Sequence, residues 1–291
     1  MSDPIADLLE TLTLERIEHN LYRGNSPQVG WQRIFGGQVI GQALVAAQQT
    51  VEVEYGVHSL HAYFLRPGDP AVPIVYQVDR IRDGRSFVTR RVNAIQHGHA
   101  IFSFMASFHL EEEGLDHQAV MPDVPTPEDL QSDGDLMGGF IDKLPEAMKS
   151  WWKQPRPFEF RPVMTDHYLT RDKLEPIQHV WIRTLGAETV PDDAPLRSAI
   201  LAYASDMTLL DTATFAHGRS VWDPQLQMAS LDHAMWFHRP TNLSDWLLYS
   251  SESPTAIGSR GFARGMIFTR DGTHIASVAQ EGLMRVRAPK K

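Results

Sequence analysis

The sequence predicts an α+β fold built from two repeats, each a long helix set against an antiparallel sheet. Three observations carry this. Runs of about ten residues with alternating apolar and polar side chains follow one another across short turns, which is how an antiparallel meander reads. A helical stretch precedes each meander, residues 38–50 after Gly36-Gly37 and residues 195–210. Landmarks then recur in one order at a nearly constant spacing. Gly84 and Gly258 stand 174 apart, as do Arg90 and Arg264, Gly98 and Gly272, Ile101 and Ile275, and Ser103 and Ser277. Arg66-Pro67 meets Arg239-Pro240 at 173, and His61-Ala62 meets His233-Ala234 at 172. Unrelated meanders share glycine turns by chance, but matched dipeptides in matched order favour duplication.

In order, residues 5–14 have helical apolar spacing, and 15–23 read as a strand running into the turn Gly24-Asn25-Ser26-Pro27. Val39, Ala43, Ala46 and Ala47 give the next helix a small-residue face able to lie close to a sheet. Strands are expected at 57–65, 73–82, 86–96 and 100–110. From 111 to 157 the chain turns acidic and rich in Pro and Gly, a linker with a helix expected at 140–152. This divides the chain into a repeat over 1–112, a linker over 113–157 and a second repeat over 158–291. Strands at 158–163 and 179–184 precede the second helix, where Leu196, Ala199, Ile200, Tyr203, Met207 and Leu210 recur at helical spacing. Asp206 then sits mid-helix on a stripe facing the interior. Four strands close the chain at 227–237, 245–252, 259–269 and 274–284. In the first of these, Ser230 and Asp232 are two apart and share a face, Trp236 and Phe237 offer apolar surface to the helix, and Pro240 ends the strand for want of a donor.

With 291 residues and 42% hydrophobic content, the chain can bury one large core or two of about 100–150 residues each. A net charge of −9 argues against nonspecific nucleic-acid binding. The absence of cysteine excludes disulfides, thiolate ligands and a cysteine nucleophile, and is compatible with a reducing cytoplasm. No apolar run reaches the ~18 residues of a membrane span. Neither a secretory leader nor a peroxisomal C-terminal tripeptide is visible, so a cytoplasmic location is expected and Asn242-Leu243-Ser244 reads as an unused sequon. The 13 histidines form no H-E-x-x-H pattern, and no G-x-S-x-G elbow is present.

A helix wrapped by an antiparallel sheet, twice in one chain, is how a double hotdog reads. Five segments closely resemble the acyl-CoA thioesterase II family: Phe35-Gly36-Gly37-Gln38-Val39, the stretch from His58 to Asp69, Tyr203-Ala204-Ser205-Asp206, the stretch from Leu231 to Pro240, and Gln280-Glu281-Gly282-Leu283-Met284-Arg285. The resemblance runs from about residue 9 to 285. It implies a double hotdog enzyme that hydrolyses medium- to long-chain fatty acyl-CoA to free fatty acid and CoA, without cofactor or metal, as a homo-oligomer (dimer or tetramer). It also implies an Asp, a Ser or Thr and a Gln gathered round one water. The matching positions are Asp206, Ser230 and Gln280, with members often carrying Thr at the Ser230 position.

Read on their own, these residues fit that chemistry. Thioester hydrolysis needs a positioned water, a base and donors for the developing oxyanion. Burial raises the Asp206 carboxyl pKa, while hydrogen bonds from Ser230 and Gln280 oppose the rise. Gln280 shares an apolar face with Ala276, Val278, Gly282 and Met284, where an amide needs a buried partner. Each also has a bland reading: a solvated or ion-paired helix Asp, a strand Ser on backbone or water, a structural amide. His233 adjoins Asp232 on the opposite face, which argues against a Ser-His-Asp triad with Ser230. At the 174 spacing Gln280 falls on Ala106, so one hydrolytic site per chain is expected. Gly36 and Gly37 are candidates to polarise the thioester carbonyl through N–H groups at a helix start. Arg85, Arg90, Arg91, Arg260 and Arg264 are candidates for CoA phosphates, or plain solvated strand faces. Two other readings stand beside hydrolysis. One is an acyl-CoA-binding protein with a vestigial site. The other is a hotdog enoyl-CoA hydratase, which wants a histidine loop at the helix that Tyr203-Ala204-Ser205-Asp206-Met207 does not supply.

Overall fold

The computed structural model describes residues 3–28, 32–138, 156–240 and 242–287. The N-terminal half comprises α1 (Pro4–Leu12), β1 (Glu15–Glu18), β2 (Leu21–Gly24), α2 (Gly36–Gln48), β3 (Tyr55–Phe64), β4 (Ile74–Asp83), β5 (Phe87–Gln96) and β6 (His99–Leu110). Beyond it come α3 (Asp133–Gly138), β7 (Phe158–Pro162), α4 (Asp166–Leu169), β8 (Ile177–Thr184), α5 (Ala194–Ser205) and α6 (Thr212–Phe215). The chain closes with β9 (Leu226–Ser230), β10 (Asp232–Phe237), β11 (Leu247–Ile257), β12 (Arg260–Thr269) and β13 (His274–Val286). The helix expected at 140–152 lies outside the described residues. No helix among the described residues is long and apolar enough to cross a membrane.

All strands join one antiparallel sheet in the order β1-β2-β4-β5-β6-β3-β10-β13-β12-β11-β8-β7, with β9 also on β13. Read outward from its middle, the order β3-β6-β5-β4-β2-β1 is matched by β10-β13-β12-β11-β8-β7. The same topology occurs twice, joined where Ala62 stands opposite His233 and His61 opposite Ala234. This is a double hotdog.

The two long helices explain the small residues. In α1, Pro4 opens the first turn and Asp3 caps Ile5 N–H at 3.2 Å, so Ile5, Leu8 and Leu12 face the core. By contrast α2 is buried nearly all round, which marks a central helix. It packs on α5 as well as on the sheet. A Cβ on Gly41 would meet Leu12 at 2.9 Å and Ala199 O at 3.3 Å, and one on Gly37 would lie 2.3 Å from Tyr203 O. At α5, Asp193 caps Leu196 N–H at 3.1 Å.

Four details differ from the sequence reading. Residues 15–23 form a hairpin that turns through Asn20 at a φ of 59°. The second helix ends at Ser205, so Asp206 is its C-cap and not a mid-helix residue. The strand expected over 227–237 breaks at Leu231, whose N–H donates to Glu281 O while its C=O accepts from Phe64 N–H. Around it the pairing slips by one, from Ser230 opposite Gly282 to Ala234 opposite Ala279, which is a β-bulge. The bulge resets the alternation of faces. Ser230 and Asp232 therefore do not share the interior: Asp232 instead accepts Glu281 N–H at 2.7 Å, and Ser230 and His233 face inward together. Finally, Trp236 lies on the outer face against His61 with ring centroids 5.3 Å apart, leaving Met235 and Phe237 to pack inward.

The repeat alignment also shifts locally. Arg90 is buried whereas Arg264 is exposed and paired with Glu252, so the two face opposite sides of the sheet and are not equivalent. By register, Leu60 opposite Ala106 in the first half corresponds to His233 beside Gln280 in the second. Residues 111–126 carry no regular structure and lie along the outer face of the second half. There Trp181 Nε1 donates to Pro125 O at 2.9 Å, Arg270 makes a two-pronged bond to Glu128, and Met121 and Val124 pack on Trp181, Trp246, Leu248 and Phe268.

Candidate active site

Where α5 ends, α2 begins, and β9 and β13 run alongside. Asp206 is thus presented from a helix C-terminus, where the negative end of the helix disfavours a carboxylate. The start of α2 compensates, because Gly37 donates its backbone N–H to the carboxylate. Only glycine fits: a Cβ on Gly36 would lie 2.6 Å from Asp206 Oδ2 and 2.9 Å from the Phe64 ring. From β13, the fully buried Gln280 donates Nε2 to Asp206 Oδ1 at 2.8 Å and to Ser230 Oγ at 2.7 Å. Asp206, Ser230 and Gln280, 74 and 50 residues apart along the chain, meet at one amide nitrogen. Gly36 and Gly37 flank them, although the Gly37 N–H is directed at Asp206 and not left open for a carbonyl.

Similarity to known proteins accords with this arrangement. The profile described as acyl-CoA thioesterase matches residues 149–283, and that of the acyl-CoA thioesterase N-terminal domain matches residues 23–109. Acyl-CoA thioesterase 2 of Haemophilus influenzae is 41% identical over 285 residues, covering 98% of this chain and 99% of that protein. The chain belongs to the acyl-CoA thioesterase family. Human acyl-coenzyme A thioesterase 8 is 40% identical, over 98% of this chain and 92% of that one. The acyl-CoA thioesterase II TesB2 of Mycobacterium marinum superposes with a TM-score of 0.77 at 42% identity, covering 98% and 99% of the two chains. The protein is accordingly a thioester hydrolase.

This candidate site is electrostatically unusual. Burial pushes the Asp206 carboxyl up to about 7, against the opposing pull of the Gln280 and Gly37 hydrogen bonds. Asp211 is likewise raised to about 7, by burial and then by the Asp206 charge. Tyr203 moves up to about 12 for the same two reasons, and Tyr249, whose hydroxyl donates to Ser205 O at 2.9 Å, is also raised well above its usual value by burial and then by the Asp206 charge. His233, set aside in the sequence reading, is part of the cluster: Nε2 lies 2.9 Å from Ser205 Oγ and Nδ1 3.9 Å from Asp206 Oδ1. Burial drives its pKa down to about 4, so at neutral pH it is an uncharged imidazole and not an ion-pair partner. The signal that would have found it is the bulge at Leu231, which strand alternation alone does not reveal.

A cavity of about 800 Å³ lies beside the C-terminal end of α5, walled by Leu8, Phe35, Phe160, Tyr203, Met207 and Trp222. Of these, Met207 follows Asp206 directly in the chain and Tyr203 lies three residues before it. Arg33 and Arg156 are the cations among the described lining residues, and Asp211 opens into the same space. The sequence candidates for phosphate binding lie elsewhere. Arg90 is buried on Thr50 and Asp83, while Arg91, Arg260 and Arg264 pair with Asp79, Glu281 and Glu252. Arg85 belongs to the β4–β5 turn. Among the described residues no cluster of His, Asp or Glu is placed to hold a metal ion.

One consequence is directly measurable. Gly36→Ala inserts a methyl against Asp206 Oδ2 and the Phe64 ring, and is expected to lower kcat on the order of tenfold or more by displacing the carboxylate. Steady-state kinetics beside a melting curve check this: a folded variant with full turnover would show that the carboxylate position is not critical.

Proposed function

We propose that this thioesterase hydrolyses medium- to long-chain fatty acyl-CoA to free fatty acid and CoA, at one site per chain, with Asp206 as general base and Ser230 and Gln280 holding the attacking water. The observation that carries the reading is the Gln280 amide joining Asp206 to Ser230 inside an apolar site. Both Gln280 N–H bonds are thereby committed, so Gln280 holds the water indirectly, by fixing the two groups that touch it. Ser230 Oγ accepts from Gln280 and keeps its own hydrogen for the water or the developing oxyanion. Gly37 steadies the carboxylate, which leaves the neighbouring Gly36 N–H as the helix-start donor toward the thioester carbonyl.

The reaction then runs in two steps. Asp206 takes a proton as the water oxygen bonds to the acyl carbon, giving a tetrahedral oxyanion. Collapse breaks the carbon–sulfur bond, and the departing thiolate, whose parent thiol has a pKa near ~8.5, recovers the proton from Asp206. No metal or cofactor takes part. The cavity size and apolar wall suit a fatty acyl chain, since ligand sites run from about 300 to 1,000 Å³. In the first half, Leu60 and Ala106 replace the polar pair, which supports a single site. The division into repeats over 1–112 and 158–291, joined by a linker over 113–157, goes with this reading, because all three side chains come from beyond residue 158. A homo-oligomer in the cytoplasm completes the proposal; size-exclusion chromatography with light scattering tests the first and a fluorescent fusion the second.

Purified protein with palmitoyl-CoA and a thiol reagent tests the activity, and an acyl-length series sets the range. No thiol from any length would overturn it, and tight binding without release would favour an acyl-CoA-binding protein. The pH dependence has a definite sign. Asp206 must be ionised to act as a base, so kcat/KM should be flat above about 7 and fall about tenfold per unit below it, as the site protonates. An acidic limb centred near the ordinary carboxylate range would exclude a raised Asp206 as the base.

A further inference from the structure

Two buried polar atoms of the site have no hydrogen-bond partner: His233 Nδ1 and Gln280 Oε1. They belong to neighbouring strands, for with Ala234 opposite Ala279 the next pair inward is His233 and Gln280. Both side chains are essentially inaccessible to solvent. We propose that His233 is a positioning residue for the hydrolysis, carrying its imidazole proton on Nδ1 and directing it to the acceptor edge of the site, so that the Gln280 amide is held with its oxygen toward His233 and its NH2 toward Asp206 and Ser230. The inference rests on the functional reading above and adds a residue to it.

Counting hydrogens decides the tautomer. Ser205 Oγ lies 2.8 Å from Ala202 O and 2.9 Å from His233 Nε2, and its one hydrogen serves only one of them. Were the imidazole proton on Nε2, it would go to Ser205, and Nδ1 and Gln280 Oε1 would be left together as two acceptors without a donor, beside an Asp206 Oδ1 that accepts only from Gln280 Nε2. Unpaired buried acceptors of this kind are costly. With the proton on Nδ1, the same hydrogen faces Gln280 Oε1 and, at 3.9 Å from nitrogen to oxygen, Asp206 Oδ1. Ser205 then donates to Nε2, and the Ala202 carbonyl gives up one contact, a milder loss. The proximity of the Gln280 amide favouring charge on His233 accords with the amide oxygen facing the ring.

The amide orientation matters because it is not self-enforcing. Turned over, Gln280 would set its oxygen 2.8 Å from Asp206 Oδ1, repelling the base and withdrawing the donor from Ser230. A donor at His233 Nδ1 opposes that turn. The groups packed round the ring are Ser205 and Asp206 at the end of α5, Gln280 on β13, Ala62 on β3 and, through Ser205 O, Tyr249 on β11.

The test separates this role from simple packing. His233→Asn places an amide NH2 near the Nδ1 position, whereas His233→Gln places one near Nε2 and keeps only the Ser205 contact. We expect the Asn variant to stay within about threefold of wild-type kcat and the Gln variant to lose on the order of tenfold, with KM changed less than twofold in both. Gln equal to or better than Asn, or a loss confined to KM, would overturn the proposal. The second measurement needs neither turnover nor variants that fold well. In wild-type protein with ¹⁵N-labelled histidine, His233 should show a protonated Nδ1 and bare Nε2 at pH 7. A protonated Nε2, or an imidazolium, would overturn it. Wild-type protein that cleaves no acyl-CoA but shows the Nδ1–H tautomer would refute the functional reading while leaving the hydrogen-bond assignment intact.

Discussion

Asp206→Asn is expected to reduce kcat by at least about 10³-fold while improving the relative stability of the fold at alkaline pH. The amide keeps the shape and still accepts from Gln280, but it takes no proton from water. Stability follows from the raised carboxyl. In the unfolded chain Asp206 ionises near 3.8, and in the native protein near 7. Between those values the folded state binds the extra proton, so native stability declines as pH rises from about 4 to about 7 and the loss is complete above that. Three pK units correspond to about 4 kcal/mol at most. The variant lacks this decline. Its stability relative to wild type should therefore grow in its favour by up to that amount between pH 4 and 8, and part of the gain would come from Asp211, which no longer faces a charge at position 206. Denaturant melts at the two pH values measure the difference. A variant that retains turnover, or one whose relative stability is unchanged with pH, would contradict the assignment of Asp206.

Gln280→Leu carries the second large effect. Leucine fits the apolar face formed by Ala276 and Val278, so the fold should survive. The amide bridge disappears, and with it the donor that favours the charged carboxylate. Turnover is expected to fall about 10²- to 10³-fold, the range found when one preorganised donor is removed. The acidic limb of the rate profile should also move to higher pH, because a carboxylate with one hydrogen bond fewer is harder to ionise. A limb moving to lower pH, or a loss of under threefold, would mean that Gln280 does not support the base.

Much of the fold was legible because its signals are local. Strands at 73–82, 86–96 and 100–110 were expected and occur at Ile74–Asp83, Phe87–Gln96 and His99–Leu110. Turns at Gly98 and Gly272 recur because both need a left-handed φ, 75° and 87°. The helix end at Ser205 was missed because Met207, Leu209 and Leu210 continue an apolar spacing that here serves a turn and a short 3₁₀ segment. The geometry at Ser230 and His233 was missed for a different reason. Its cause is Leu231, which bonds to both Glu281 and Phe64, and a residue shared between two partners leaves no trace in a pattern of alternation. Two further alignments failed by one residue of register, Arg90 with Arg264 and His61 with His233, since a slip of one exchanges the faces of a strand. Asp206, Ser230 and Gln280 were singled out through long motifs resembling a known family; composition and periodicity alone leave them as a solvated or ion-paired helix carboxylate, a strand hydroxyl and a buried amide.

The seam between β3 and β10 has a mechanical consequence. Were the polypeptide severed between its halves and the pieces separated, each would carry a long central strand with bare N–H and C=O groups and a helix stripped of its glycine-lined neighbour. Neither fragment would have a soluble resting form. The molecule should instead melt in one cooperative step, because the half without Gln280 supplies both the Gly37 N–H that steadies Asp206 and a packing wall for the half that has it.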